Sequence, residues 1–233
     1  MTEDQNGDKV RGKHPVEDVL YDRLVDAIID KHLRPGQHLN EVKLAETYNV
    51  PRSRVRRVLE RLRDEDVVIF ELNKGAFISR PTVIDAKSVF EVRRHLESLV
   101  VALACERVKP KDIKRLRENL EKERAGFSAA KPEVNRIAAD FHFLIAKIAG
   151  NPVLERMVGL LIRRCILVQS VYEKKMGVLC LTEDHSRMID FIAEGRKDEA
   201  VAMMQHHVDH IVSSLELTEA RRNEMDVYDF SRG

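Results

Sequence analysis

Apolar positions with helical spacing divide the first part of the chain into three short segments. The spacing predicts helices over 16–32, 40–48 and 52–64, because residues three and four apart share one helical face. Arg34-Pro35-Gly36 separates the first two helices, and Asn49-Val50-Pro51 separates the second from the third. The third segment has the most regular apolar stripe, which consists of Val55, Val58, Leu59 and Leu62.

Two short apolar runs follow the third helix. Val67-Val68-Ile69-Phe70 and Ala76-Phe77-Ile78 flank Asn73-Lys74-Gly75, and such runs around a turn are typical of a β-hairpin. Three helices with a tight turn before the third, followed by a hairpin, is the order of a winged helix-turn-helix.

Beyond the hairpin the apolar spacing stays helical and no second β pattern occurs. We therefore predict a mainly α protein, with a winged helix-turn-helix at 15–80 and an antiparallel all-helical bundle at 81–218. The two ends are predicted to be a disordered tail, 1–14, and a polar tail, 219–233. The bundle helices are predicted at 83–107, 111–126, 133–149, 152–173, 182–194 and 197–216.

Composition predicts a globular, cytoplasmic protein. Of the 233 residues, 43% are hydrophobic and 34% are charged, a balance typical of folded chains. No apolar run approaches the ~18 residues that a membrane span needs, so no membrane partner is expected. Cys105, Cys165 and Cys180 are scattered and odd in number, which argues against a disulfide framework and predicts a reducing compartment.

Positive charge is concentrated in the third helix, although the net charge of the chain is only +1. Six arginines and a single acid, Glu60, lie between Arg52 and Arg63. Two interpretations remain open, a solvated basic face and a reader of nucleic acid, and the adjoining short helix and hairpin favour the second. At 100° per residue, the side chains opposite the apolar stripe are Ser53, Arg56, Arg57 and Arg61.

The segment LNEVKLAETYNVPRSRVRRVLERLRDEDVV resembles the winged-helix signature of the GntR family of bacterial transcription regulators. The resemblance implies sequence-specific binding of double-stranded operator DNA through the third helix and the wing tip. Three residues differ from the family pattern: Pro51 replaces Ser or Thr, Arg54 replaces Pro, and Asp66 replaces Gly. Including the neighbouring charges on this helix, the predicted DNA-binding residues are Arg52, Ser53, Arg54, Arg56, Arg57, Lys74 and Gly75.

Motifs on four predicted bundle helices are similar to the FCD sensor domain of the FadR-type subgroup of this family. The resemblance implies a divalent metal ion held by His142, His185 and His207. The family's usual Asp ligand falls on Ala138, and imidazole ligands favour Zn or Ni over Mg. The motifs are Glu91-x-Arg93-x-x-Leu96-Glu97, Asp140-Phe141-His142 with Gly150-Asn151, Glu183-x-His185-x-x-Met188-Ile189, and Met204-x-x-His207-Val208-x-x-Ile211.

Arg93 lies beside an apolar stripe, so its guanidinium needs an anionic partner, which is either Glu97 one turn on or a bound acid. The resemblance implies a small organic acid as effector, with Arg93 and Asn151 as sensible carboxylate contacts. Two arrangements remain open: a three-histidine metal site completed by water or an effector carboxylate, and histidines that bind an anionic effector without metal.

These features together predict a homodimeric DNA-binding transcription regulator, a repressor on the habit of the family, whose operator affinity an organic acid controls. We do not expect an enzyme. Two alternatives remain open. One is a metal-dependent hydrolase, weakened because no clear general base accompanies the histidines. The other is a DNA-binding dimer whose bundle serves dimerisation alone and binds no effector.

Overall fold

The computed structural model describes residues 15–129, 134–173 and 181–218. Both predicted tails, 1–14 and 219–233, lie outside the described residues, as does Cys180. Within these ranges the chain forms nine helices and a small three-stranded sheet, which confirms the mainly α fold class. Cys105 and Cys165 are free thiols, and burial raises the pKa of Cys165 to about 11.

The N-terminal half follows the predicted order. Asn40 caps the second helix by accepting hydrogen bonds from the backbone of Val42 and Lys43, and Asn49 ends it with a φ of 50°. Asn tolerates this left-handed conformation better than most residues. The elements are α1 (Pro15–Ile29), β1 (His38–Leu39), α2 (Glu41–Tyr48), α3 (Arg52–Asp64), β2 (Val68–Glu71) and β3 (Gly75–Ile78).

The wing is an antiparallel sheet in the order β1-β3-β2. In the hairpin, Val68 pairs with Ile78 and Glu71 with Gly75. Strand β1 was not predicted, because two residues are too few to produce an alternating pattern. The buried stripe of α3 packs against α1 and the hairpin, and it consists of Val55, Val58, Leu59 and Leu62 as predicted.

The C-terminal half is a bundle in which α4 packs along α9, α7 and α6. Thr82 and Asp85 begin α4 with a capping box, which satisfies backbone donors at its first turn. The helices are α4 (Val83–Arg107), α5 (Pro110–Ser128), α6 (Val134–Ile148), α7 (Pro152–Tyr172), α8 (Leu181–Ala193) and α9 (Lys197–Ser213). None of the helices in the described residues combines the length and apolarity that crossing a membrane requires.

The two halves share a continuous interface along α1 and α7. Leu167 of α7 is buried in the core of the N-terminal half, and Ile29 of α1 is buried in the core of the bundle. Ion pairs also link the two halves. The pairs are Lys31–Glu173, Arg163–Glu65, Arg164–Asp66 and Arg136–Asp26.

Asp66 occupies the turn between α3 and β2, where the family pattern has glycine. Its φ of 57° lies in the left-handed region, so the turn keeps the conformation that glycine would adopt. The Asp66 carboxylate forms an ion pair with Arg164 of α7 at 3.0 Å. Aspartate adopts this backbone conformation less readily than glycine, but its side chain adds a contact with the bundle.

Candidate nucleic-acid interface and metal centre

The first exposed surface is one side of α3. Arg52 and Arg56 are 65% and 61% exposed, and Ser53 beside them is exposed as well. Arg52 pairs with Glu41 at 2.9 Å, and Arg56 approaches Glu60 at 3.5 Å. Exposed pairs of this kind contribute only about 0–1 kcal/mol, so a phosphate or a guanine edge can displace them.

Three of the other arginines of α3 turn toward α1, whereas Arg63 pairs with Asp64. Arg54 and Arg57 both donate to Glu17, at 3.3 and 2.5 Å. Arg61 pairs with Asp18 at 3.1 Å, and its guanidinium lies 3.5 Å from the centroid of the Tyr21 ring. The helical wheel placed Arg57 and Arg61 on the side opposite the apolar stripe. The acidic first turn of α1 instead draws Arg61 onto the flank of the domain and gives Arg57 an internal partner.

The wing tip carries the remaining predicted DNA contacts. Lys74 is exposed and pairs with Glu71 at 3.0 Å. Gly75 has a φ of +94°, and a Cβ there would lie 3.3 Å from Nε2 of His38. A side chain at 75 would therefore be strained and would press on β1, which explains glycine at this position.

The second surface is internal and brings three predicted histidines together. His142 of α6, His185 of α8 and His207 of α9 are all buried. Their ring centroids are 5.3 Å apart for 142 and 185, 5.1 Å for 142 and 207, and 4.7 Å for 185 and 207. Phe141 stacks on the His185 ring at 3.9 Å and holds its plane. One ring nitrogen from each histidine lies within 4.8 Å of the other two.

Each histidine is oriented by a carboxylate. His142 Nδ1 donates to Glu97 at 2.7 Å, and His185 Nδ1 donates to Glu123 at 2.8 Å. Asp184 lies 3.4 Å from Nδ1 of His207. Because an ionised carboxylate only accepts, the proton is on Nδ1 and the lone pair is on Nε2. Carboxylate–histidine pairs of this kind orient the imidazoles that bind metal ions.

The Nε2 atoms test whether the cluster fits a metal ion. Within the part of the chain that the structure describes, Nε2 of His185 and of His207 are buried and make no hydrogen bond. Leaving two buried acceptors unsatisfied costs about 1–3 kcal/mol each, and a shared metal ion would satisfy both. The Nε2 atom of His142 accepts from Arg93 at 3.1 Å, so Arg93 has to yield for a third bond. The residues therefore fit a metal ion that prefers nitrogen ligands.

Burial sets the charges in the cluster. It lowers the pKa of His142, and it lowers the pKa of His207 well below its ordinary value. Burial alone would raise the pKa of Glu97, but Arg93 and then His142 hold it well below its usual range. His142 and His207 therefore present neutral imidazoles, the form that binds metals, beside the ionised carboxylate of Glu97.

A small cavity opens beside the histidines. The cavity offers about 60 Å³ to water, enough for a few water molecules or the carboxylate end of a small acid. Ala138 lies in its wall, so the methyl group stands where the family pattern has a ligating carboxylate. Arg93, 3% exposed, also lines it and pairs with the fully buried Glu97 at 2.8 Å. Lys31 of the N-terminal half and Glu173, the residue that follows α7, lie in the same wall, with Nζ and Oε2 2.6 Å apart.

Asn151 is not brought to this cavity. It is the N-cap of α7, and its side chain accepts hydrogen bonds from the backbone of Val153 and Leu154. Ile162 and Gln169, which do line the cavity, are about three and five turns further along the same helix. The predicted effector contact at Asn151 is therefore replaced by a capping role.

Three residues of the site escaped the sequence analysis. Glu123 carried a signal, because it interrupts the buried stripe of α5 between Leu120 and Gly126. Asp184 adjoins His185 in sequence but faces His207. Lys31 carried no signal, because only the packing of α1 on the bundle brings it to the cavity.

Comparison with known proteins supports both halves. Residues 17–78 match the family described as bacterial regulatory proteins, gntR family, and residues 88–210 match the FCD domain. The Nta operon transcriptional regulator of Aminobacter aminovorans is 28% identical over 183 residues, which are 77% of this chain and 85% of that protein. The HTH-type transcriptional regulator LutR of Bacillus subtilis is 28% identical over 201 residues, covering 77% and 91%.

Solved structures share the fold. The McbR/YncC protein of E. coli superimposes with a TM-score of 0.77 at 18% identity, covering 86% of this chain and 97% of that one. A GntR transcriptional regulator from Rhodococcus sp. RHA1 gives a TM-score of 0.74 at 22% identity, covering 86% and 99%. The winged helix-turn-helix, the helical bundle and the two family matches, the second of which spans more than half of the chain, lead to one conclusion. The protein belongs to the GntR family of bacterial transcription regulators and carries a C-terminal FCD domain.

Proposed function

We propose that this regulator is a homodimeric repressor that senses a small organic acid at a metal ion held by His142, His185 and His207. The observation that supports this most is the pair of buried, unsatisfied Nε2 atoms that face the cavity. A bound Zn²⁺ or Ni²⁺ would act there as a Lewis acid that attracts a carboxylate. Ala138 leaves room in the wall for the effector's own carboxylate to approach the histidines.

The contact between Lys31 and Glu173 gives the effector a route to the DNA-binding half. Lys31 follows α1, whereas Glu173 ends α7, and both line the cavity. A carboxylate in the cavity competes with Glu173 for the Lys31 ammonium. An effector that prefers one arrangement of this pair favours the orientation of the DNA-binding half that goes with it, and so changes operator affinity.

A hydrolase is less well supported by the same site. Among the described residues near the histidines, Glu97, Glu123 and Asp184 are each engaged with an Nδ1 atom. A general base needs a carboxylate free to take a proton from water. All three acids orient imidazoles, and the second oxygen of Glu123, which makes no hydrogen bond, is buried.

Dimerisation is proposed through the exposed side of α4. Ile84, Val92 and Leu99 are large aliphatic side chains that remain exposed on this helix. Their spacing places them within about 80° of one another around the helix axis. A second copy of the chain covering this stripe would bring two α3 helices to the half-sites of a pseudo-palindromic operator.

Arg56→Ala is expected to weaken operator binding by about 1–3 kcal/mol if Arg56 reads a base edge. Arg57→Ala should cost less, because Glu17 already engages its guanidinium. The operator is first selected from a pool of random DNA sequences. Affinity for it is then measured by fluorescence anisotropy at one salt concentration. Arg124→Ala is the matched control, an exposed arginine on α5 that pairs with Glu121. Equal affinities for Arg56→Ala and the control would remove Arg56 from the interface.

His185→Ala is expected to remove the metal ion and the effector response but to leave operator binding by the ligand-free protein intact. Metal content is measured on purified, unchelated protein, and thermal shifts are recorded against a panel of small carboxylates. Ala138→Asp restores the family's carboxylate and should tighten the metal. His32→Ala is the control, since His32 is exposed in the turn after α1. A response in His185→Ala equal to that of the wild type would refute the site.

A further inference from the structure

A second cluster of metal-binding side chains lies on the outer side of α8 and α9. It consists of Asp184, His206 and His210, and one ligand atom from each lies within 4.8 Å of the other two. His206 and His210 are one helical turn apart, with ring centroids separated by 6.0 Å. Two histidines at i and i+4 on one face of a helix form a two-nitrogen chelate for transition metals.

The state of His210 sets this cluster apart from an ordinary solvated face. The Nδ1 atom of His210 is buried and makes no hydrogen bond. It lies 3.5 Å from the nearest oxygen of Asp184, which is beyond the usual range of about 2.7–3.2 Å for such bonds. The Nδ1 atom of His210 is thus a buried nitrogen close to a carboxylate oxygen, and a cation between the two would bond to both.

Asp184 connects this cluster to the inner one. The same oxygen that approaches His210 lies 3.4 Å from Nδ1 of His207. A carboxylate oxygen has about two lone-pair positions, so this oxygen can accept from His207 and bind a metal ion at the same time. The inner and outer clusters can therefore be occupied together.

We propose that Asp184, His206 and His210 form a second binding site for a divalent transition-metal ion of the zinc, nickel or copper class. Imidazole nitrogens with one carboxylate suit these ions, and water completes the coordination. Tetrahedral Zn²⁺ with bonds of about 2.0–2.2 Å needs ligand atoms roughly 3.4 Å apart. Because His206 is exposed, its ring can change rotamer and so close the remaining gap.

The experiment counts bound ions. Metal-stripped full-length protein is dialysed against a series of free Zn²⁺ concentrations, and bound zinc is measured by mass spectrometry. Asp184 is left intact in every variant, since its loss would disturb His207 as well. His206→Ala/His210→Ala is expected to bind one zinc ion fewer per chain than the wild type. His32→Ala, in the turn after α1, is expected to bind as the wild type does.

The inner site is tested in the same series and separately. His185→Ala should lose an inner ion and keep the outer one, and the triple variant should lose both. If His206→Ala/His210→Ala binds as much zinc as the wild type, the outer site does not exist. If only His185→Ala retains wild-type binding, the inner metal of the proposed function fails and the outer site stands. Circular dichroism of each variant confirms that the helices are retained, so a loss of zinc reports on ligands rather than on folding.

Discussion

Glu97→Ala is expected to lower the free energy of unfolding by about 3–5 kcal/mol, the range for removing one partner of a buried ion pair. Glu97 is 1% exposed, and its carboxylate accepts from Arg93 at 2.8 Å and from His142 at 2.7 Å. Without it, the buried guanidinium loses its ion-pair partner and the His142 proton loses its acceptor. Urea denaturation at neutral pH measures the loss.

The cost should come from the stranded charge rather than from lost packing. Arg93→Leu/Glu97→Ala removes the charge together with its partner and should recover much of the stability. Glu121→Ala, which breaks the exposed pair with Arg124, is the matched surface control and should change stability by less than about 0.5 kcal/mol. A loss below about 1 kcal/mol for Glu97→Ala would mean that water reaches Arg93 in the folded protein.

The metal-free protein is expected to lose stability as the pH falls from 7 toward 5. Folding lowers the pKa of both His142 and His207, so the unfolded chain binds more protons than the folded one below the unfolded pKa. Stability therefore rises with pH, and each histidine contributes a slope of up to about 1.4 kcal/mol per pH unit below roughly pH 6.5. The lowered pKa of Glu97 adds a further loss below roughly pH 4.5.

Thermal or urea unfolding between pH 5 and 8, with chelator present, measures this slope. His142→Gln/His207→Gln removes both titrating groups and should flatten the curve between pH 5 and 7. His206→Gln is the control, because that side chain is exposed. A wild-type curve that is flat in this window would mean that the buried imidazoles take up protons in the folded protein as readily as in the unfolded chain.

The sequence predicted the helices well because their apolar stripes are long and regular. The predicted 52–64 coincides with α3, and 83–107 coincides with α4. The turn Asn49-Val50-Pro51 is also a local feature and was recognised, because Asn tolerates the left-handed conformation that ends α2. Strand β1 depends on pairing with β3, a partner almost forty residues away, and no local pattern announces it.

The same distinction between local features and long-range contacts applies to the residues of the candidate site. His142, His185 and His207 were identified through a family resemblance, since a single histidine on a helix gives no indication of its neighbours in space. The direction of Arg61 depends on where α1 packs, and Asn151 depends on where α7 begins. Glu123, Asp184 and Lys31 become part of the site only when separate elements meet.

The exchange of Ile29 and Leu167 between the two cores bears on how the protein transmits a signal. Each half completes its apolar interior with a side chain from the other, so separating them exposes both side chains to water, at about 1.5–3 kcal/mol for each. The halves are therefore expected to melt in one cooperative transition. Effector-driven motion should take the form of sliding along α1 and α7 rather than hinged opening. For the same reason, the N-terminal half expressed alone would have a cavity at the position that Leu167 fills in the intact protein.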